Sequence, residues 1–381
     1  MPTLQFMPWC PIDKKYKVGE ITIIPFNRDE KMEDLDEFSS CQIRTILKVY
    51  KDLEGHPVKK VALVKYGDNE ITADIDNDQR ETTRELVQIA CFCGLANRNY
   101  FKRSGKECNS DCFTFYIQEF KDDPIRATFV TRQRVGVAKD HRRSLDETIF
   151  TIPLHTSGIG SISLDEKLLT ALIKFRDSTS ETDWSRWLNA ISCFNQANTN
   201  NYSVLYQTEW VLLCSAFEHL LDAKSNAKDV ARKFSEILTF CRPLSKNDWK
   251  RNSSKLKESN ESLRYEWMRE FYKIRGNFAH GKLKIKREIA WTRLEHLVLA
   301  TIAFPLVIHK LLAKKDDYYS LTEDDKCQIE IFERLANEKF LEDPPNQEEG
   351  GDSWWEHLMK ECSFENMRNR ASEMFDTKMN S

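Results

Sequence analysis

The N-terminal part of the chain carries the hydrophobic pattern of a mixed α and β domain. Short runs rich in β-branched and aromatic residues are bounded by Gly, Pro, Asn or Asp, which is typical of strands separated by turns. The predicted strands are residues 19–26, 58–66, 70–76, 112–120 and 125–134. Residues 76–93 begin with Asp and Asn, which favour a helix N-cap, and continue without Gly or Pro, so they are predicted to form a helix. We expect an α+β domain at residues 1–155.

The pattern changes after a stretch rich in Gly and Ser at residues 151–163, which we interpret as a linker or loop. Strand signals nearly disappear, and apolar residues recur every three or four positions. The predicted helices are residues 164–177, 183–197, 202–223, 227–241, 262–280 and 286–314. We expect an all-α bundle at residues 160–340, so the protein as a whole is helix-rich. An acidic break with Pro and Gly opens residues 341–381, where a Trp-containing tail can dock as one more helix.

Two of the predicted helices carry continuous apolar stripes and should lie in the core. The helix at 202–223 is apolar on most sides, which predicts a central position; its stripe is Tyr206, Trp210, Leu213, Phe217 and Leu221. The helix at 262–280 has a similar stripe, formed by Leu263, Trp267, Phe271, Ile274 and Phe278. Functional side chains near the end of the helix at 262–280 are therefore expected to lie on a helix that packs in the core.

Composition identifies a globular protein and limits where a polyanion can bind. Of 381 residues, 40% are apolar, which is too much core-forming material for a disordered chain. The net charge is −3, so a polyanion-binding surface must come from a local concentration of basic residues. The N-terminus lacks a signal-peptide pattern, and the longest apolar run, Leu297–Ile308, is too short to span a bilayer, which needs about 20 residues. We expect a cytoplasmic protein without a membrane segment.

The cysteines raise a separate question. Eleven cysteines without a repeating frame are expected to be thiols and not a disulfide scaffold. Four of them lie close together in the sequence and are weak candidates for a zinc site, namely Cys91, Cys93, Cys108 and Cys112. Their spacings, C-x-C and C-x3-C, depart from the C-x2-C knuckles of structural zinc sites, so buried thiols are the alternative. A zinc site would make the N-terminal domain a nucleic-acid reader.

An arginine and a histidine lie near the end of the helix whose stripe ends at Phe278. In FYKIRGNFAHGKLKIKR, Arg275 and His280 are five positions apart, which is about 140° of azimuth on a regular helix. Gly276 and Asn277 both weaken a helix. We therefore expect the helix to loosen here. The two side chains then converge on one spot or face a second copy of the same element across a symmetry axis.

Basic residues surround this pair. Six basic residues and no acidic one lie within residues 271–287, which is typical of a polyanion-binding surface. The candidate RNA-binding residues are Lys273, Lys282, Lys284, Lys286 and Arg287, together with Tyr272, which could stack on an unpaired base. The alternative is structural, because His280 can complement the helix dipole while Arg275 pairs with an acid such as Glu270.

The arrangement of Arg275 and His280 resembles the R-x(4–6)-H motif of the HEPN superfamily. The segments TEWVLLCSAFEHLLDA, AKDVARKFSEIL and FYKIRGNFAHGK together resemble the Apea-like HEPN group associated with bacterial antiphage defence. The resemblance covers about residues 164–320. It implies a metal-independent endoribonuclease that needs no cofactor and acts as a homodimer or higher homo-oligomer in abortive infection. The N-terminal domain would then recognise a phage-derived or host trigger.

The residue types fit that chemistry. His280 can take the proton from a ribose 2′-OH, and Arg275 can hold the phosphate through paired hydrogen bonds. Because the reaction uses that hydroxyl, the implied substrate is RNA, with tRNA as one candidate. Asn277 would orient a phosphate oxygen, although many members place a polar residue directly after the arginine, where this chain has Gly276.

Glu218 matches an acid that some members carry on the central helix, and it is either a supporting residue or half of a structural ion pair. The functional alternative to a nuclease is a non-catalytic HEPN module, which dimerises or binds RNA without cleaving it.

Overall fold

The computed structural model of the protein describes residues 3–30, 37–98, 107–119, 126–132, 138–144, 149–239, 244–251, 256, 259–279, 289–315, 318–341, 354 and 356–362. The chain divides into two compact units. The first comprises Met1–Arg98, Ser104–Ile173 and Asn198–Val204, and the second comprises Asn99–Arg103, Lys174–Ala197 and Leu205–Ser381. The division therefore falls after Ile173, inside a helix, and not in the Gly- and Ser-rich stretch that precedes it.

The first unit is built on a five-stranded antiparallel sheet. The strands along the described chain are β1 (Thr3–Met7), β2 (Tyr16–Val18), β3 (Ile21–Asn27), β4 (Tyr50–Lys51), β5 (Lys60–Tyr66), β6 (Tyr116–Glu119), β7 (Arg126–Arg132), β8 (Ala138–Ser144) and β9 (Phe150–Thr151). The sheet order is β2-β3-β5-β1-β6, with Leu63 of β5 opposite Ile24 of β3 and Phe6 of β1. β4 pairs with β9 in parallel, and β7 pairs with β8 antiparallel.

The strand predictions are confirmed in part. The segments at 19–26, 58–66 and 125–134 contain β3, β5 and β7. Residues 70–76 are not a strand, because the Ala73 N–H donates back to the Glu70 carbonyl at 3.1 Å and closes a turn, and Asp76 caps the next helix. Residues 112–120 are extended only from Tyr116 onward, since a 3₁₀ turn at Ser110–Phe113 comes first. Neither β1 nor β8 was predicted.

Two helices accompany the sheet, α1 (Glu37–Leu47) and α2 (Asn77–Ala96). α2 confirms the helix predicted at 76–93, and a capping box explains its start: Asp76 accepts from the Gln79 N–H at 2.8 Å while the Gln79 side chain accepts from the Asp76 N–H at 3.1 Å. The 3₁₀ turn packs on α2 at Gly94. A Cβ at position 94 would lie 2.7 Å from Phe113 Cζ, so only glycine allows this approach.

The second unit is helical, which confirms the α+β then helical layout. Its helices are α4 (Glu181–Ala197), α5 (Tyr206–Leu221), α6 (Ala227–Ile237), α7 (Leu263–Ala279), α8 (Arg293–Lys314) and α9 (Glu323–Asn337), preceded by α3 (Glu166–Ser178), which contains the division between the units. α5 packs on α4, α6, α7 and α8, as its apolar character predicts. Trp210, Leu213 and Phe217 of α5 are fully buried, and so are Trp267 and Phe271 of α7. α9 was not predicted.

α8 is a core helix. In the described part of the chain it is the one helix of 22 residues with the length and composition to cross a membrane, and 78% of its most apolar window is buried inside the protein. A capping box of Thr292 and Glu295 opens it. Behind that cap, Arg251 and Glu295 form a buried ion pair at 2.6 Å, and Arg251 also donates to the Ala336 carbonyl at 3.2 Å.

One pair of cysteines departs from the expectation of free thiols. Cys327 of α9 is joined to Cys362, which lies in a helical segment at residues 356–362. Both residues are buried, so the packing of this segment on α9 brings the two sulfurs together. Their positions in the sequence, 35 residues apart, give no sign of this contact.

We predict that Gly94→Ala destabilises the first unit. Alanine is normally about 1 kcal/mol better than glycine within a helix, but here its Cβ meets the buried Phe113 ring, and overpacking of a core costs about 1–3 kcal/mol. The midpoint of chemical denaturation should therefore fall. Gly160→Ala is the control, because a Cβ there has nothing within 4 Å. An unchanged midpoint for Gly94→Ala would contradict the described packing.

Candidate functional site

The site rests on the alignment of α5 with α7. The indole Nε1 of Trp210 donates to the backbone carbonyl of Phe271 at 2.9 Å, and the two rings stack with centroids 4.9 Å apart. Toward one end Tyr206 meets Phe278 at 5.7 Å, and toward the other Tyr272 reaches Glu218. Tyr206 comes before Glu218 on α5, whereas its partner Phe278 comes after Tyr272 on α7, so the two helices run in opposite directions.

This alignment brings together three polar side chains that form the Glu218 cluster, namely Glu218 of α5 and Tyr272 and Arg275 of α7. The Tyr272 hydroxyl donates to Glu218 Oε2 at 2.7 Å, and Arg275 Nη1 donates to the Tyr272 oxygen at 2.9 Å. The same Nη1 lies 3.4 Å from Glu218 Oε2. The Ser225 hydroxyl donates to the other oxygen of the carboxylate. The guanidinium of Arg275 is thus held by a hydrogen-bonded acid and a phenol.

The cluster keeps Glu218 ionised. Burial alone raises the pKa of Glu218, but the hydrogen bonds from Ser225 and Tyr272 and the positive charge of Arg275 outweigh burial, so the pKa lies below its ordinary value. Burial and the hydrogen bond to Glu218 raise the pKa of Tyr272, which keeps the phenol protonated as a donor. The carboxylate and the guanidinium therefore balance each other's charge at neutral pH.

Arg275 retains some capacity to bind an anion. Its side chain is 27% exposed. Its Nε is buried and has no hydrogen-bond partner among the described residues. The buried Nε is closed to a ligand, so only the exposed part of the guanidinium, already oriented by Glu218 and Tyr272, can contact a phosphate oxygen. The partly exposed guanidinium of Arg275 is therefore the group of the Glu218 cluster that could bind a phosphate.

Tyr272 does not have the exposure expected of a stacking residue. It is 5% exposed, and its hydroxyl is engaged by Glu218 and Arg275. A ring enclosed in this way cannot present a face to an unpaired base, so the structure places Tyr272 as a positioning residue for Arg275. Lys273 is exposed on the same helix, while Gly276 and Asn277 are partly exposed.

The helix does not loosen at Gly276 and Asn277, which corrects the sequence-based expectation. α7 continues through both residues to Ala279. Phe278 explains this, because it is 9% exposed and packs on Trp210 at 5.4 Å, and that burial offsets the cost of about 1 kcal/mol for a glycine within a helix. The remaining members of the predicted site lie outside the described residues, namely His280, Lys282, Lys284, Lys286 and Arg287.

Glu270, the acid proposed as an alternative partner for Arg275, has a different role. Its carboxylate accepts hydrogen bonds from the Ala290 N–H at 3.0 Å, the Trp291 N–H at 3.3 Å and His296 Nε2 at 3.0 Å. His296 is fully buried, and burial lowers its pKa against the opposing effect of Glu270, so the imidazole stays neutral. Glu270 thereby ties the start of α8 to α7.

Two neighbours of the Glu218 cluster were missed by sequence reasoning. Ser225, in the loop after α5, supplies the second hydrogen bond to Glu218. Cys214 lies one turn before Glu218 on α5, and burial raises its pKa, so it is a neutral neighbour of the Arg275 charge. The spacing of Cys214 and Glu218, and that of Tyr272 and Arg275, is the i, i+4 or i, i+3 spacing of one helix face. That spacing could have indicated from the sequence that Cys214 lies beside Glu218.

The cluster has little capacity to hold a metal ion. Glu218 is its one carboxylate among the described residues, and the positive charge of Arg275 lies 3.4 Å from it. Elsewhere in the described chain, Asp52, Glu54 and His56 bring three possible ligand atoms within 4.8 Å of one another, on an exposed surface where acidic groups commonly meet without an ion.

Comparison of the chain with protein families, with curated proteins and with solved structures returns no match. The resemblance to the HEPN superfamily therefore rests on the residues quoted above.

We predict that Glu218→Gln lowers stability at neutral pH by about 1–2 kcal/mol, because charge-assisted hydrogen bonds are lost. Since the folded-state pKa of Glu218 is depressed, its contribution is full above the unfolded-state pKa, about 4.3, and is lost as the pH falls through the folded-state value. The difference between wild type and Glu218→Gln should narrow below that pH. Chemical denaturation of both proteins across a pH series measures this difference in the free energy of unfolding.

The control for this prediction is Glu236→Gln. The pair of Arg232 and Glu236 has side chains 54% and 58% exposed, and such surface pairs contribute little. Glu236→Gln should change the free energy of unfolding by no more than about 0.5 kcal/mol. A wild-type advantage over Glu218→Gln that is constant from neutral to acidic pH would show that the ionisation of Glu218 is not what stabilises the cluster.

Proposed function

We propose that the second unit is a metal-independent endoribonuclease in which Arg275 binds the scissile phosphate and His280 transfers the proton. The observation that carries this proposal is the geometry of Arg275, which lies on the packed helix α7, is oriented by Glu218 and Tyr272 and stays 27% exposed. A positioned guanidinium stabilises the charge that builds up on a phosphate in the transition state. The resemblance to HEPN ribonucleases supports the same assignment.

The proposed reaction is a transesterification. The ribose 2′-oxygen attacks the adjacent phosphorus as His280 takes its proton, and the bond from phosphorus to the 5′-oxygen breaks. The products are a 2′,3′-cyclic phosphate and a 5′-hydroxyl, and the leaving oxygen takes a proton from the same or a second imidazole. Arg275 neutralises the non-bridging oxygens. Asn277, predicted to orient one of them, lies about 200° of azimuth from Arg275 on the continuous helix α7 and does not face the same phosphate.

The partners in this proposal follow from the resemblance. Two copies of the chain would each supply an Arg275 and a His280 to one cleft, and Lys273 with the basic residues that follow α7 would bind the RNA backbone. Activity would belong to abortive infection in antiphage defence, triggered through the first unit. In this scheme the first unit is the sensor and the second unit the effector.

A non-catalytic module is the second candidate. One observation favours it, because Arg275 is already paired with Glu218 and so carries less net positive field toward a ligand than an unpaired arginine. In that case the basic residues near α7 would bind RNA without cleaving it. The two candidates differ in what happens to the RNA, so a cleavage assay separates them.

We predict that His280→Ala and Arg275→Ala each lower the rate of RNA cleavage by at least about 100-fold, because general acid–base catalysis and oxyanion stabilisation each contribute about that much. A labelled single-stranded RNA is the substrate, and an oligonucleotide with 2′-deoxyribose throughout should remain intact. RNA binding by His280→Ala should be retained. His56→Ala, at an exposed site in the first unit, should cleave at the wild-type rate.

Wild-type protein that binds the RNA but never cleaves it, under conditions where His280→Ala binds equally well, would favour the non-catalytic module. Cleavage of the 2′-deoxy oligonucleotide would contradict the proposed mechanism, because that substrate has no internal nucleophile.

We predict that EDTA leaves the cleavage rate unchanged, because neither a guanidinium nor an imidazole needs a metal ion for these roles. The measurement is the single-turnover rate with and without the chelator. A loss of cleavage that added Mg²⁺ restores would instead indicate a metal-dependent nuclease.

A further inference from the structure

Two sequence patterns of the first unit have no part in the proposed nuclease, a group of cysteines and a basic stretch. The cysteines that the sequence offers as weak zinc candidates are Cys91, Cys93, Cys108 and Cys112. Among the described residues, the one group with three possible ligand atoms within 4.8 Å of one another is Asp52, Glu54 and His56, so these cysteines do not form a metal position. The basic stretch is residues 126–144, which contain β7 and β8.

β7 and β8 form a two-stranded antiparallel ribbon in the first unit, which we call the basic ribbon. Its register runs from Arg126 opposite Ser144 to Arg132 opposite Ala138, with every residue of one strand paired to a residue of the other. Within the described chain, the ribbon pairs with no strand of the five-stranded sheet. It is therefore a separate element and not an extension of that sheet.

The basic ribbon is strongly positive in a chain that is acidic overall. Its paired residues include five of the Lys and Arg type and one acid, Asp140, whereas the whole chain has a net charge of −3. The basic residues are Arg126 and Arg132 of β7 and Lys139, Arg142 and Arg143 of β8. One acid cannot balance five cations, so the ribbon is a local concentration of positive charge.

The register distributes this charge over both faces of the ribbon. Residues directly opposite each other share a face, and successive residues of a strand alternate between the faces. Lys139 and Arg143 therefore share one face with His141. The charged residues of the other face are Arg126, Arg132, Arg142 and Asp140. With His141 neutral, cations exceed acids by two on each face, so the ribbon is positive whichever face lies outward.

The dimensions and composition of the ribbon select among nucleic acids. Two paired strands lie about 4.8 Å apart, and the major groove of B-form DNA, about 12 Å wide, admits such a ribbon between two walls of phosphates. The major groove of duplex RNA is too deep and narrow for side chains to enter. A single strand is bound largely by stacking on aromatic rings, and Phe129 and His141 are the ribbon's two ring-bearing residues. Double-stranded DNA is therefore the polyanion that fits the ribbon best.

We propose that the basic ribbon is a binding site for double-stranded DNA, in which β7 and β8 lie in the major groove and their basic residues bind the phosphate backbones. Cations on both faces suit a groove whose two walls are both phosphate backbones. Phosphate contacts position a protein on the duplex without reading its sequence, so binding at this site is independent of base sequence. The proposal does not depend on the nuclease activity, and it gives the first unit a ligand of its own.

The test is the binding of a short fluorescent DNA duplex to the full chain, measured by anisotropy over a series of salt concentrations. Arg142→Ala combined with Arg143→Ala removes one cation from each face of the ribbon. This double variant should bind the DNA about tenfold more weakly, and the slope of log K against log salt concentration should become shallower by about 2, because two phosphate contacts are lost. Its binding of a 2′-O-methyl RNA duplex, which lacks the hydroxyl that the proposed nuclease needs, should change by less than about twofold.

Two further variants serve as controls. Lys59→Ala combined with Lys60→Ala removes the same charge from exposed positions elsewhere in the first unit, and it should change the DNA affinity by less than about twofold. Arg142→Lys combined with Arg143→Lys keeps both charges, so it should keep a salt slope close to that of the wild type. Equal midpoints of chemical denaturation show that a variant is folded.

A second measurement covers the case in which the alanine variant fails to fold. Methyl green, which occupies the major groove, should displace wild-type protein from the duplex, whereas netropsin, which occupies the minor groove, should not. Wild-type protein that does not bind duplex DNA, or that netropsin displaces and methyl green does not, would overturn the proposal. So would a folded alanine variant that binds DNA as the Lys59 and Lys60 control does, or one that loses DNA and RNA binding equally. None of these readouts depends on RNA cleavage.

Discussion

The buried hydrogen bond from the indole of Trp210 to the carbonyl of Phe271 fixes where α5 lies against α7, on which the Glu218 cluster depends. In an α-helix the backbone N–H of Arg275 donates to the carbonyl of Phe271. The Trp210 indole donates to the same carbonyl, so it places α5 beside the turn of α7 that carries Arg275. Glu218, further along α5, meets Tyr272 and Arg275 on α7. A slip of either helix by one residue would separate Glu218 from both and leave a partly exposed carboxylate and guanidinium without their partners.

The two units rely on different kinds of contact. In the second unit, large aromatic rings fill the core, as in the stack of Trp267 on Phe271 with centroids 5.6 Å apart, and buried ion pairs such as Arg251 with Glu295 accompany them. In the first unit, the sheet has an aromatic and aliphatic core, but the 3₁₀ turn is held by amide, carboxylate and hydroxyl groups. A turn held by directional bonds keeps its side chains in a fixed position, whereas an apolar contact tolerates adjustment.

Sequence reasoning found the features that depend on local periodicity. The stripes of α5 and α7 follow a spacing of three or four residues, and β3 and β5 are rich in β-branched residues, so their type and approximate limits could be predicted. The pairing of Glu218 with Arg275 could be suspected but not established, because it depends on the relative placement of α5 and α7. The helix at Gly276 was misjudged because local propensity is weaker than the burial of Phe278. The contact of Cys327 with Cys362 was missed because it depends on tertiary packing.

The hydrogen bonds of Glu270 have a consequence for the basic residues that follow α7. One side of the interval between Ala279 and Ala290 is the end of α7, and the other is tied back to Glu270, about 14 Å earlier along the same helix axis. Folding of α7 and α8 therefore fixes Ala279 and Ala290 together, so both ends of this interval are attached to the same packed helix.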